Sequence, residues 1–365
     1  MVAPTRPQRV WPPVAIAAMP APAQHPPPQR VADETTPPAA GRSWLPGWAG
    51  IVLRVAATLG LIAFVLRGID WRSLQALLAA LDWQWFTAGL ITAVSIQVVA
   101  GIRWSALARP IGFQHSTAAF VWRFFEGVFF NLCLPSSIGG DVIKAYRLSE
   151  TTRGRLLAGC TILADRLAGV SALGVLAGAA LLAIKFALVP AATLALGLAL
   201  LAVVILGFRL AVGSLDRLLD LLPHQHRLRQ FLSQLLPYQQ RPHLMTQAIG
   251  WSLIVQIGAS VSVALLARGI GVSLNLGVWF SVVPLISLAM VLPVSINGVG
   301  VREGGMAVLL APWGVGKEQA VAIGLLWFFA TIVTGLIGGG LFLLDRRTSA
   351  EPAVSQAAKA STAGQ

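Results

Sequence analysis

The chain alternates long apolar runs with short polar connections. Runs long enough to cross about 30 Å of hydrocarbon as helices lie at 48–66, 85–103, 156–184, 189–208, 247–266 and 319–344. Two further runs, 118–134 and 276–292, lead directly into related polar elements: Leu134-Pro135-Ser136-Ser137-Ile138-Gly139-Gly140-Asp141 and Leu292-Pro293-Val294-Ser295-Ile296-Asn297-Gly298-Val299-Gly300. Pro and Gly at these places break a helix. Irregular backbone at membrane depth is tolerated only where protein or a wet cavity satisfies its polar groups, so paired breaks point to a binding site between two halves. Four identities in a five-residue frame arise by chance about once in a chain of this length, so the surrounding context has to carry the comparison.

The loop charges supply that context. Eight full crossings place the basic stretches 144–155 and 209–241 outside. Six crossings plus two re-entrant hairpins, with a cytoplasmic N-terminus, instead place Arg103, Arg109, both stretches and Arg346-Arg347 inside, and the near-neutral loop with Arg67, Asp70, Arg72 and Asp82 outside. The second arrangement obeys the positive-inside rule. It predicts an all-α polytopic membrane protein with six transmembrane helices and two re-entrant helical hairpins; eight full spans are the alternative. Each half then holds three crossings and one hairpin, and the odd number turns the second half upside down, giving an inverted-topology repeat. Leu74, Leu77, Leu78 and Leu81 in one half, and Leu215, Leu218, Leu219 and Leu222 in the other, share a helical spacing that predicts matched interfacial helices.

Composition agrees with a membrane protein. The 365 residues are 56% hydrophobic and 11% charged, with a mean hydropathy of +0.74, too apolar for an ordinary soluble domain. The formal charge of +13 sits mostly in loops and implies anionic lipid headgroups before nucleic acid. Residues 1–46 are rich in Pro, Ala and Gln and read as a disordered tail, as do 346–365. Between them, 47–345 form the membrane domain, with repeats at about 48–184 and 189–344. Cys133 and Cys160 lack metal-ligand spacing and read as buried small residues. No Gly-x4-Gly-Lys-Ser/Thr nucleotide loop is present in the sequence, and no cofactor or metal is expected.

Ionisable residues at membrane depth are expensive and tend to face a bundle interior or a wet cavity. Arg54 is close enough to a helix end to snorkel. Arg123 and Glu126, three apart, can pair within one helix. A helix interrupted by Pro and restarted at Gly offers free N–H groups and a favourable dipole to an anion. Pro135 and Pro293 are therefore the expected hinges. Gly139, Gly140, Gly298 and Gly300 permit close backbone approach. Arg302 and Lys144 supply positive charge, and Asp141 and Glu303 act as counter-charges or proton carriers. Tight-turn glycines and helix-start carboxylates without a ligand give the same residue pattern.

The segment from Asn131 through Asp141 with Lys144, the pair Asp165-Arg166, and Asn297-Gly298-Val299-Gly300-Val301-Arg302-Glu303 resemble the flippase-like family of lysylphosphatidylglycerol-synthase transmembrane regions, across about 48–345. The resemblance implies a bacterial inner-membrane protein, termini cytoplasmic, that moves an amphipathic phospho- or glycolipid between leaflets and is not itself an enzyme. It implies membrane lipids with anionic or zwitterionic headgroups as partners, and leaves room for a partner lipid-modifying enzyme. Relatives also carry a soluble aminoacyl-lipid synthase domain, which is not expected here, and often have Arg where this chain has Lys144, keeping charge without bidentate geometry. Asn131, Asp141, Asp165, Arg166, Asn297, Arg302 and Glu303 are then expected to line a headgroup groove, exposed to either side by rocking of the two halves. Two rivals remain open: a membrane-embedded transferase acting on a lipid-linked substrate, and an accessory subunit that docks a lipid-modifying enzyme through the proline-rich tail.

Overall fold

A computed structural model describes residues 47–134, 139–183, 235–292 and 294–362, with 219, 220, 229 and 233 between them. The proline-rich tail, the run 189–208, Leu215, Leu218 and Leu222, and the hinges Pro135 and Pro293 lie outside the described residues. Ten helices carry the described part: α1 (Gly47–Leu66), α2 (Trp71–Ala79), α3 (Trp83–Ala108), α4 (Thr117–Cys133), α5 (Gly139–Leu148), α6 (Thr152–Ala183), α7 (Pro242–Gly269), α8 (Leu276–Val291), α9 (Val301–Leu310) and α10 (Lys317–Thr362). A short helical turn, Leu236–Gln240, precedes α7, and there is no strand among the described residues.

The helix starts follow from their capping residues. Asp70, Asp82, Ser116 and Asn275 precede α2, α3, α4 and α8, and each side chain accepts a backbone N–H of the first turn, satisfying a donor that the helix leaves open. The stops follow from proline. Leu134 (φ −94°, ψ 138°) ends α4 and Leu292 (φ −67°, ψ 133°) ends α8, both extended, because the proline after each disfavours the helical conformation. The expected breaks therefore fall where the sequence puts them. α10 continues to Thr362, past the boundary after Asp345 expected from composition; Ala-rich segments extend an existing helix without a new nucleus.

Among the described residues, four long apolar helices satisfy the requirement for crossing a bilayer: Trp83–Ile111, Gly154–Ala179, His243–Gly269 and Lys317–Asp345, with the shorter apolar helices Val55–Leu66 and Leu276–Val291 as well. Their outer faces carry exposed Leu59, Phe64, Ile91, Leu163, Ile254, Leu336 and Leu343. A band of large apolar residues exposed along helices this long is the surface of a protein solvated by lipid. In α2, Leu74 is buried while Leu78 and Trp71 are exposed, so one face packs on α10 and the other is left for the interface. Cys160 is buried as expected, whereas Cys133 at the break is exposed, because the chain leaves the helical packing there.

Two stretches repeat the same plan. A long helix (α3, 26 residues; α7, 28) is followed by a medium one (α4, 17; α8, 16), a break, a short one (α5, 10; α9, 10) and another long helix (α6; α10). The joints before α4 and α8 both turn on a positive-φ glycine, Gly112 and Gly271. Packing partners exchange between the copies: α4 lies on α3 and α10, α8 on α7 and α6, α5 on α4 and α6, α9 on α8 and α10. The equivalent helices α3 and α7 run antiparallel, since Asp82 N–H donates to Gly269 O (2.8 Å), Ser262 Oγ to Gly89 O (2.7 Å) and Arg103 to Ser252 Oγ (2.9 Å). Antiparallel equivalents are what one repeat inverted against the other requires.

Each α4–α5 and α8–α9 pair is a helical hairpin that returns to the end from which it started. Gly140 packs on Gly127, and Lys144 lies across Gly127. His115, ahead of α4, meets Leu148 O at the end of α5 (3.1 Å). In the second pair Met290 packs on Gly298 and Ile286 on Gly305, and Val272 and Leu310, at the two ends of the pair, share one core cluster. A ten-residue helix is about 15 Å long, half the hydrocarbon thickness. The joint before α4 also touches the start of α7, through Tyr238 to Leu107 O and Arg241 to Pro110 O.

Close helix contact rests on small residues, as in other membrane bundles. A Cβ on Gly338 of α10 would collide with the carbonyl of Phe125 in α4, whereas one on Gly340 would meet nothing. Gly338→Ala should therefore cost about 1–3 kcal/mol by overpacking, read as a lowered unfolding midpoint in detergent, while Gly340→Ala should hold or raise the midpoint, since Ala favours a helix interior over Gly.

Candidate functional site

The first break brings the sequence-predicted residues into one ion cluster. Asp141, in the first turn of α5, accepts from Lys144 Nζ (3.3 Å) through one oxygen and from Arg166 of α6 (Nε 2.9 Å, Nη2 2.7 Å) through the other. Lys144 is buried, with its ammonium 4.1 Å from the centroid of Phe124 and 5.8 Å from that of Trp104, so cation–π attraction replaces part of its lost hydration. Arg166 is half exposed, at 49%. One residue earlier on α6, Asp165 turns inward and holds Arg103 of α3 in a bidentate pair (2.7 and 2.8 Å), while the remaining guanidinium nitrogen donates to Ser252 Oγ of α7. Asp165 is also among the charges that act on Lys144. Three cations and two carboxylates leave a net positive charge at the N-terminal turn of a half-helix, where the dipole adds to it.

The break itself is held by side chains. Asn131 Oδ1 accepts the Gly140 N–H (2.8 Å), an N–H that the start of α5 leaves without a helical partner. Gly140 lies so close to the carbonyl of Gly127 and to Asn131 that a Cβ has no room; Gly139 beside it packs on Leu134. Asn131 and the two glycines thus build the turn beneath Asp141.

The second break makes a different site. Asn297 is the sole described non-glycine residue with positive φ (52°), flanked by Gly298 (72°) and Gly300 (83°). Its side-chain Nδ2 donates to Leu132 O (3.2 Å) and Ile296 N–H to Thr58 Oγ1 of α1 (2.9 Å). The two breaks therefore touch, Asn297 reaching the last turn of α4 next to Asn131. Glu303 Oε2 accepts the Gly300 N–H (2.7 Å), and its other oxygen accepts from Arg302 Nε (3.3 Å). Arg302 is 1% exposed and lies over Phe328 (4.8 Å) and Trp327 (5.5 Å). Its Nη2 is buried without a hydrogen-bond partner. The residues expected to line one groove thus form two groups: Asp141, Arg166 and Asp165 at the first break, beside Lys144, and Arg302 and Glu303 packed under α10 at the second, with Asn131 and Asn297 where the breaks meet.

The sequence reading missed the partners of Arg103 and Glu126, and passed over Arg147 and Asp345 as site residues. Arg103 was read as the cytoplasmic end of an apolar run and given no partner, because Asp165 is far away in sequence. Glu126, 1% exposed, does not pair with Arg123; it accepts from Arg147 of α5 (2.9 and 3.2 Å), which also pairs with Asp345 of α10. The signal available was Arg147 in the last turn of α5 and Asp345 at the end of the apolar part of α10, but nothing in spacing joins them.

Long lipid-facing helices, two broken hairpins and charge clusters inside the bundle define a polytopic helical membrane protein. Residues 51–339 match the model of the lysylphosphatidylglycerol synthase transmembrane region, and the chain belongs to that family. No curated protein matches the chain in a direct comparison.

Breaking one side of the buried Arg103–Asp165 pair leaves an uncompensated charge. Arg103→Leu or Asp165→Leu alone should each destabilise by about 3–5 kcal/mol, whereas the double replacement should recover most of that loss in detergent unfolding measurements.

Proposed function

We propose that this protein moves an amphipathic phospho- or glycolipid between the leaflets of a bacterial inner membrane, acting as a transporter and not as an enzyme. The observation that carries the reading is the cluster of Asp141, Lys144 and Arg166 at the start of α5, net positive and reached from outside through the half-exposed Arg166. A lipid phosphate would exchange its water there for a guanidinium, an ammonium and the dipole of a half-helix, while its acyl chains stay in lipid. A zwitterionic headgroup would add an amine for Asp141.

We place six crossings and two re-entrant hairpins in the membrane, as an inverted-topology repeat with both termini cytoplasmic. The contacts support this arrangement because the described joints meet joints that it assigns to the same face. On the cytoplasmic face these are 109–115 with Leu148, Tyr238 and Arg241. On the other face they are Asp82 with Gly269, Asp70 with Glu318, and Lys317 with Arg67. Eight full spans would put the contacting residues His115 and Leu148 on opposite faces. The first face is strongly basic and the second nearly balanced, as the positive-inside rule asks. Rocking of one repeat against the other about the antiparallel α3–α7 contact would open the region between the breaks to alternate sides.

Purified protein in vesicles containing a fluorescent phospholipid tests the reading: protein-dependent loss of protection from an impermeant quencher reports transfer between leaflets. Asp141→Asn, which weakens both ion pairs, should slow transfer by about tenfold, on the scale of one charged hydrogen bond. Transfer no faster than in empty vesicles would end the transport reading, and Asp141→Asn at the parental rate would remove the cluster from it.

A further inference from the structure

A second cluster, outside the breaks, holds two buried donor atoms without hydrogen-bond partners. Between the first two turns of α4, the end of α5 and the cytoplasmic end of α10 lies a cavity of about 240 Å³, lined by Ala118, Ala119, Trp122, Arg123, Arg147 and Asp345. That is the volume roughly eight waters take up in the liquid. The small side chains of Ala118 and Ala119 leave the space open. Trp122 Nε1 and Arg123 Nη1 are both buried and have no hydrogen-bond partner. Both neighbouring carboxylates, Glu126 and Asp345, are hydrogen-bonded to Arg147, so the Arg123 guanidinium has no hydrogen-bonded counter-ion among the described residues. Buried donors in adjacent positions are expensive to leave unmade, and a guanidinium beside an indole N–H suits an anionic oxygen. The cavity is reachable, since the side chains of Arg147 and Asp345 are 29% and 41% exposed.

We infer that this cavity binds the phosphate of an anionic headgroup, with Arg123 as the charge and Trp122 as a second donor. Arg123 lies six residues into α4, about 9 Å from its start, which is headgroup depth for a helix entering from the cytoplasmic face. The inference rests on the proposed topology only for that side of the membrane. It makes the cavity an entry site for the cytoplasmic leaflet, separate from the Asp141 cluster. Arg147 is a positioning residue here: tied to Glu126 and Asp345, it fixes one wall of the cavity.

The test is equilibrium binding to the purified full chain by native mass spectrometry, titrating phosphatidylglycerol and, separately, diacylglycerol, which lacks the phosphate. The parent should bind phosphatidylglycerol, Arg123→Gln should weaken that binding by about tenfold, Arg123→Lys should fall between them, and Trp122→Phe should weaken it several-fold without changing the charge. Diacylglycerol should bind all four alike. Competition by inorganic phosphate would support the site with free phosphate as its source; absence of competition would support it with the lipid headgroup as its source. Equal phosphatidylglycerol affinity in the parent, Arg123→Gln and Trp122→Phe would overturn the inference. Because no translocation is read, Arg123-dependent binding in a protein that transfers no lipid would defeat the transport reading and leave this site standing.

Discussion

The structure depends on one constraint: a backbone that leaves its helix inside hydrocarbon must find hydrogen-bond partners within the protein. Every specific feature of the two breaks answers it. Asn131 takes the Gly140 N–H, Glu303 takes the Gly300 N–H, Thr58 takes the Ile296 N–H, and Asn297 reaches the Leu132 carbonyl. These partners come from three elements, so the breaks bind α1, α4 and α9 to one another as they form. Residues that would read as ligand contacts in isolation are first of all the means by which irregular backbone survives at depth.

Repetition with inversion explains why the breaks meet. Because α3 and α7 are antiparallel equivalents, each hairpin packs against the long helix of the other half, α4 on α10 and α8 on α6. Asn297 of the second break then reaches Leu132, at the end of α4 beside the first. The copies have diverged in chemistry. The first keeps an acid, Asp141, between two cations and leaves one of them half exposed; the second closes Arg302 beneath Phe328 and Trp327, with Glu303 turned back to its own helix start. A headgroup bound between the tips would therefore meet charge on one side and a sealed aromatic wall on the other, and its orientation would follow from that difference.

The helix breaks and the all-helical, membrane-spanning character of the described residues were legible in the sequence because proline, glycine and apolar length act locally. Leu134 and Leu292 end their helices for a reason visible in the next residue. The charge partners were not legible. Helical spacing offered Glu126 to Arg123, but Arg147 comes back along the hairpin and takes it with a bidentate grip, leaving Arg123 facing a cavity. Arg103 meets Asp165 only once α3 and α6 are packed. Arg302 was read as a charge offered to a ligand; its burial beside two aromatic rings is set by α10, whose register against α9 no local pattern encodes. Long-range pairing is decided by the fold, and one-dimensional spacing carries no trace of it.

The central claim, that each hairpin enters and leaves on one face and that the two use opposite faces, is open to direct measurement. In a Cys133→Ser, Cys160→Ala background, single substitutions Gln114→Cys, Glu150→Cys, Ser273→Cys and Gly316→Cys place one thiol at each end of each hairpin. With a membrane-impermeant maleimide applied to the outside of intact cells, the account predicts that the thiols at 273 and 316 react and that those at 114 and 150 react only after lysis. Two ends of the same hairpin labelling from opposite sides would contradict it.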